Sequence, residues 1–213
     1  VLASGPKPGR KGSRGKRTKR SEVKELLTLL ILRQKGPMGR YHLKDLLDLS
    51  EREGVVRQIL VDFQKKGYIS TSRSGCTLTQ EGKTFFEKRL RDLRILAIKV
   101  FDSQILKTSP ISIGLHLRGI ANRVKSAMEV RDVAVRGGAT GATIILFKEG
   151  RLEIPSVHPD FLSKHPSLAE EIHESFNLED SDIIIIISAE DECRGFEASL
   201  TIANNLLPKQ LIS

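Results

Sequence analysis

Arginine can bond guanine through two parallel hydrogen bonds and glutamine can do the same with adenine. The two residues stand side by side here as Arg57 and Gln58. Around them Val56, Ile59, Leu60 and Phe63 recur at helical steps and make one apolar stripe. At about 100° per residue the opposite face carries Glu51, Gly54, Gln58, Val61 and Lys65, with Arg57 and Asp62 on its flanks. A helix of this kind lying in a major groove would present Arg57 and Gln58 to the bases. Ser50, Arg52 and Gly54 fall at its start, where backbone N–H groups can meet a phosphate. Ser50 with Glu53 has the spacing of a capping box. Further on, Ser72, Arg73 and Ser74 form a short basic turn suited to a minor groove or flanking phosphates.

Other chemistries find less support. Gly137-Gly138-Ala139-Thr140-Gly141-Ala142-Thr143 has the glycine content of a phosphate loop. It leads from a helix into a strand, however, the reverse of what such a loop requires, so it reads as a helix end and turn. His158, His165 and His173 are spaced by seven and eight residues, which does not bring two imidazoles together on a helix, and no metal site is expected. Cys76 and Cys193 are too few for a disulfide framework, and no serine elbow or Cys/His nucleophile signature is present. No catalytic residue and no cofactor are expected. Arg131 is the exception: it falls in the middle of an apolar face formed by Val124, Ala127, Ala134 and Val135. A cation there needs either an ion pair, with Asp132, Glu153 or an acid of the last helix, or an anionic ligand. Ligands of open α/β sheets sit beyond the carboxyl ends of strands, which adds Ser188 and Arg194 as candidate effector-binding residues.

Charge is distributed unevenly along the 213 residues. Residues 1–20 hold eight lysines and arginines and no acid, Arg17, Lys19 and Arg20 among them. Residues 21–94 hold 15 basic residues against 10 acidic, and residues 95–213 hold 12 against 16. A polyanion should therefore bind the N-terminal part. Residues 1–20, rich in Gly, Pro, Ser and cations, are expected to be a disordered basic tail, serving either solubility or phosphate contact. No apolar run approaches the ~20 residues of a membrane span, and no signal peptide is apparent; a cytoplasmic setting without membrane association is expected.

Helical periodicity begins at Ser21, a candidate cap, and Gly36-Pro37 ends it. A short helix over 41–47 follows, then the Arg57 helix to about Lys66 with Gly67 as its left-handed terminus. Two short strands around 68–71 and 76–78 come next, then a helix from Thr79 to about Leu93. Beyond residue 95, strands are expected over 95–101, 111–117, 143–147, 151–154 and 183–188, and helices over 122–136, 167–176 and 189–206. The fold class is α/β (α+β), with domains at 21–94 and 95–213, the second built on a mixed sheet.

The run Leu49–Leu60, then Lys66-Gly67-Tyr68-Ile69, then Thr77-Leu78-Thr79-Gln80-Glu81-Gly82-Lys83 resembles the winged helix-turn-helix superfamily of prokaryotic transcription factors. The whole chain resembles an archaeal family in which a winged helix precedes a small α/β domain of unknown function, on Glu53-Gly54-x-Val56-Arg57, Arg131-Asp132 and Gly141-Ala142. The resemblance implies a homodimeric regulator bound sequence-specifically to double-stranded DNA, with a C-terminal domain for dimerisation or a small-molecule effector. It departs from the superfamily pattern at Val55, where a small hydroxyl residue is usual, and Glu51, Glu53 and Asp62 leave the helix nearly neutral. A protein-interaction adaptor that uses the winged helix for pairing, or a winged helix fused to a small-molecule enzyme domain, are the alternatives.

Overall fold

The helix α1, Lys19–Lys35, carries apolar residues on more than one face, so it cannot lie on a surface. Val23, Leu26, Leu27, Leu30 and Ile31 are buried as their spacing predicts, and Leu29 and Leu32 are buried as well. In this computed structural model, which describes residues 19–49, 52–101, 106, 108–155 and 161–207, α1 packs against two neighbours of its own half and against a helix of the other. Ser21 is not its cap: α1 is already helical at Lys19. Gly36, with φ at +76°, ends it.

Helices α2, Arg40–Leu46, and α3, Glu53–Lys65, follow, then strands β1, Ile69–Ser72, and β2, Gly75–Leu78, and helix α4, Gln80–Asp92. The stripe Val56, Ile59, Leu60 and Phe63 of α3 is buried throughout. Arg52 is the N-cap of α3 and makes no side-chain cap bond, so the expected capping box does not start the helix; Ser50 lies outside the described residues. Gly67, φ +71°, follows the C-terminus and turns the chain into β1. Strands β1 and β2 pair antiparallel around the two-residue turn Arg73-Ser74, and Met38 exchanges backbone hydrogen bonds with Cys76 beside them.

The second half holds strands β3, Ile95–Val100, β4, Ile111–Leu117, β5, Gly141–Lys148, β6, Arg151–Glu153, and β7, Ile183–Ala189. Their order is β3-β4-β7-β5-β6, and every neighbouring pair runs antiparallel. The expected mixed sheet is thus replaced by an antiparallel one. A helical crossover, α5, Ala127–Arg136, carries the chain from β4 to β5 one strand further away than a direct neighbour, and β7 fills the slot in the opposite direction. Helix α8, Glu192–Leu206, shares with α5 and α1 the core formed by Ile113, Leu115, Ile183, Ile185 and Ile187. The short α6, Phe161–Lys164, leads to α7, Pro166–Ser175, whose Leu168 and Ile172 cover Ile145, Ile184 and Ile186 on the other face. Ile183 to Ile187 are at most 1% exposed, as a doubly covered central strand requires.

The expected helix over 122–136 divides in two: a 3₁₀ turn at Ala121–Arg123 precedes α5, which Ser126 caps through Glu129 N. Its buried face is Val130, Val133 and Ala134, whereas Val135 is 48% exposed. Arg131 is exposed and lies outside that face.

Candidate functional site

The helical half presents one exposed face of α3. Gly54, Arg57, Gln58 and Lys65 are exposed, and Arg52 is exposed at the N-cap. Arg57 and Lys65 form no ion pair among the described residues, while Gln58 Nε2 donates to Asp62 Oδ1 at 2.9 Å. Two acids that soften the positive potential are therefore engaged: Asp62 by Gln58, and Glu53 by Arg40, 3.2 Å away. The turn between β1 and β2 is held from within. Ser72 Oγ lies 2.8 Å from Ser74 Oγ, accepts from Ser74 N and donates to Gly75 O, and Arg73 between them is exposed with no ion pair among the described residues. Arg20 is exposed in the first turn of α1 and Lys19 is its first residue; Arg17 lies outside the described residues.

Tyr41 was not foreseen. It is 62% exposed on α2, with the Arg40 guanidinium 4.9 Å and the Lys44 ammonium 5.8 Å from its ring centroid. An aromatic residue between cations on a short helix was the available signal in the sequence.

Of the three candidate effector residues, two meet. Arg131 and Ser188 line one cavity of about 370 Å³, together with Thr108, Ser109, Thr140 and Thr143. Arg131 has no ion pair among the described residues, so none of the acids considered for it is its partner. Arg194 stands apart. Its Nε lies 3.4 Å from Asp191 Oδ2, and it lines a separate cleft of about 510 Å³ between the halves, with Asp45, Asp48, Glu190, Glu192 and Lys35. The rule placing ligands beyond parallel strand ends does not reach this antiparallel sheet. In the glycine run, Gly137 caps α5, Gly138 has φ +101°, and the N–H groups of Gly138, Ala139 and Thr140 donate to Val135 O, Ala134 O and Ser188 O. Those donors are spent on the turn itself and form no phosphate cradle.

Of the remaining reactive side chains, the two cysteines and His116 are buried, while His173 is exposed. Cys193 is buried, and that burial pushes its thiol up, away from the thiolate a nucleophile needs. His173 packs edge-on against Phe147, and His158 lies outside the described residues. His116 is 2% exposed and bonds Asp182 Oδ2 through Nε2 at 2.7 Å. No cluster of three or more metal-ligating side chains occurs among the described residues.

Residues 109–206 match the family described as a domain of unknown function (DUF4443). The segment similar to DUF4443 begins at Ser109 in the cavity wall and takes in β4 through the end of α8, with Arg131, Thr140, Thr143 and Ser188. In fold the chain is similar to the hypothetical protein PH0730 from Pyrococcus horikoshii OT3, with a TM-score of 0.65 and 24% identity over 92% of this chain and 96% of that chain. That likeness spans both the helical and the sheet halves. No curated protein matches the sequence. Among the described residues no helix is long and apolar enough to cross a membrane.

Proposed function

We propose that residues 21–94 act as a winged helix-turn-helix that binds double-stranded DNA, and that the chain is a transcriptional regulator whose sheet half senses a ligand or dimerises. The observation that carries this reading is the exposed face of α3: Arg57 and Lys65 stand on it without an ion pair among the described residues, with Gln58 exposed beside Arg57, opposite a buried stripe. Arg57 and Gln58 would read base edges in the major groove, and Gly54 lets the backbone approach a phosphate. Arg73 at the tip of the β1–β2 turn would reach the flanking backbone, and the exposed Arg20, Arg52 and Tyr41 would add contacts to it. The basic residues 1–20 add charge where a polyanion would be gripped.

The test is fluorescence anisotropy of the full chain with a pool of labelled genomic fragments at several salt concentrations. Binding should weaken steeply with salt, and R57A/R73A should weaken it at least about 30-fold, since each arginine contact is worth roughly 1–3 kcal/mol. Salt-insensitive binding, or none, would overturn the reading. Val55, 42% exposed at the start of α3, favours a second reading in which this face pairs with a protein. Self-association of the chain without DNA affinity would support that adaptor.

A further inference from the structure

The cavity beside Arg131 has a composition that selects its ligand. Among the described residues its lining contains no acid, and its one charged group is a guanidinium without an ion pair. The rest of its polar wall is hydroxyl. Thr108 Oγ1 donates to Ser188 Oγ at 2.8 Å, and Thr140 Oγ1 donates to Ser188 O at 3.0 Å. Because the Thr140 proton is used there, Ser109 must be the donor in its 2.6 Å contact with Thr140 Oγ1. Ser188 is 5% exposed, accepts from Thr108, and has no acceptor for its own proton among the described residues. Thr143 also lines the cavity, and its hydroxyl has no hydrogen bond among the described residues.

One further observation points to an occupant. Strand β6 pairs only with Leu146–Lys148, so Gly141–Ile145 keep an edge without a strand partner among the described residues, and Gly141, Ala142 and Thr143 of that edge line the same cavity. The volume, about 370 Å³, lies in the range of small-molecule sites.

We propose that this cavity binds a small-molecule oxyanion, a carboxylate or a phosphate ester, with Arg131 taking the charged oxygens and the Ser188 and Thr143 hydroxyls donating to them. A guanidinium with converging hydroxyl donors and no competing acid suits such a group and disfavours a cation. The assignment deepens the reading of the sheet half as a sensing unit. Its test needs no DNA, so its failure would leave the DNA reading standing.

Isothermal titration of the full chain with inorganic phosphate and, separately, with succinate decides it. At least one of the two should bind saturably, and which one does distinguishes a phosphoryl from a carboxylate ligand. R131Q should weaken that binding at least about tenfold, the scale of one charge-assisted hydrogen bond. T143V should weaken it by a smaller factor. R136Q removes the same charge from the same helix outside the cavity and should leave binding unchanged. Both arginines are exposed, so circular dichroism should show every arginine variant folded. The proposal is overturned if neither probe saturates by about 10 mM, if folded R131Q binds as the unaltered chain does, or if R136Q loses as much as R131Q.

Discussion

Asp182 has no exposed surface, and both its carboxylate oxygens are used. Oδ2 accepts from His116 Nε2 and from Glu179 N, and Oδ1 accepts from Gly119 N with the Arg118 Nε 3.4 Å away. His116, facing Phe176 as well, is held below its ordinary value of 6.5 by burial, with the Asp182 bond opposing that shift. A histidine whose folded pKa is lowered takes up its proton more readily when unfolded. Its contribution to stability is therefore full above about 6.5 and is lost as the pH falls below it towards the folded value. Denaturant unfolding between about pH 8 and 5 should show that loss, and H116Q should show a shallower one over the same interval. Equal slopes would mean that another group governs it. At this scale the sequence was read unevenly. Arg57 and Arg73 are exposed as periodicity and turn chemistry implied, yet Arg131 is at the surface instead of in an apolar face. That error came from counting Val135 in the apolar face in place of Val130 and Val133: Ala127, Arg131, Ala134 and Val135 all lie on α5, whose buried side is Val130, Val133 and Ala134.

The connection from α3 through the hairpin to α4 shows why its short motif has the residues it does. Thr79 caps α4 by accepting from Gly82 N at 3.0 Å and donates to Gly67 O at 2.6 Å, fastening both ends of the hairpin together. A Cβ at Gly82 would stand 2.0 Å from Tyr68 O, so the Tyr68 carbonyl can lie against α4 only if residue 82 is glycine. G82A should therefore cost about 1–3 kcal/mol through overpacking, lowering Tm by about 2–12 °C in a chain of this length. G54A, whose Cβ would meet nothing within 4 Å, should instead raise stability by up to about 1 kcal/mol, because alanine is the better helix former. Thermal unfolding of both variants checks the pair, and a neutral G82A would refute the close approach. The threonine and glycine were visible in the sequence as a helix start; the carbonyl that makes the glycine necessary comes from a residue fourteen positions earlier and was not.

Between the halves, Lys24 of α1 is 5% exposed and bonds Glu197 of α8 at 2.8 Å and Leu47 O at 2.5 Å. A buried ammonium without its carboxylate, or the reverse, is strongly unfavourable, so E197M should cost about 3–5 kcal/mol, whereas replacing both, K24M/E197M, should recover most of that. Equilibrium unfolding of the single and double variants measures it, and a double variant no more stable than E197M would show that the pair does not act as a unit. Nothing in the local pattern marks Lys24 as buried, because periodicity shows one apolar face at a time, while α1 is covered by α4 and β2 and also by α8. Sequence alone determined what depends on neighbours within one turn or one strand: the stripe of α3, the span Ile111–Leu117, the doubly covered Ile183–Ile187, the helix ends at Gly36, Gly67 and Gly137, and the imbalance of charge. The tertiary structure decided what depends on strand order and on contacts between distant segments. It inserted β7 between β4 and β5, which made the sheet antiparallel, and it brought Ser188, Thr140 and Thr108 to one cavity with Arg131. Hydrogen bonding between adjacent strands and packing between helices are satisfied by whichever segment arrives, and local spacing carries no record of which one does.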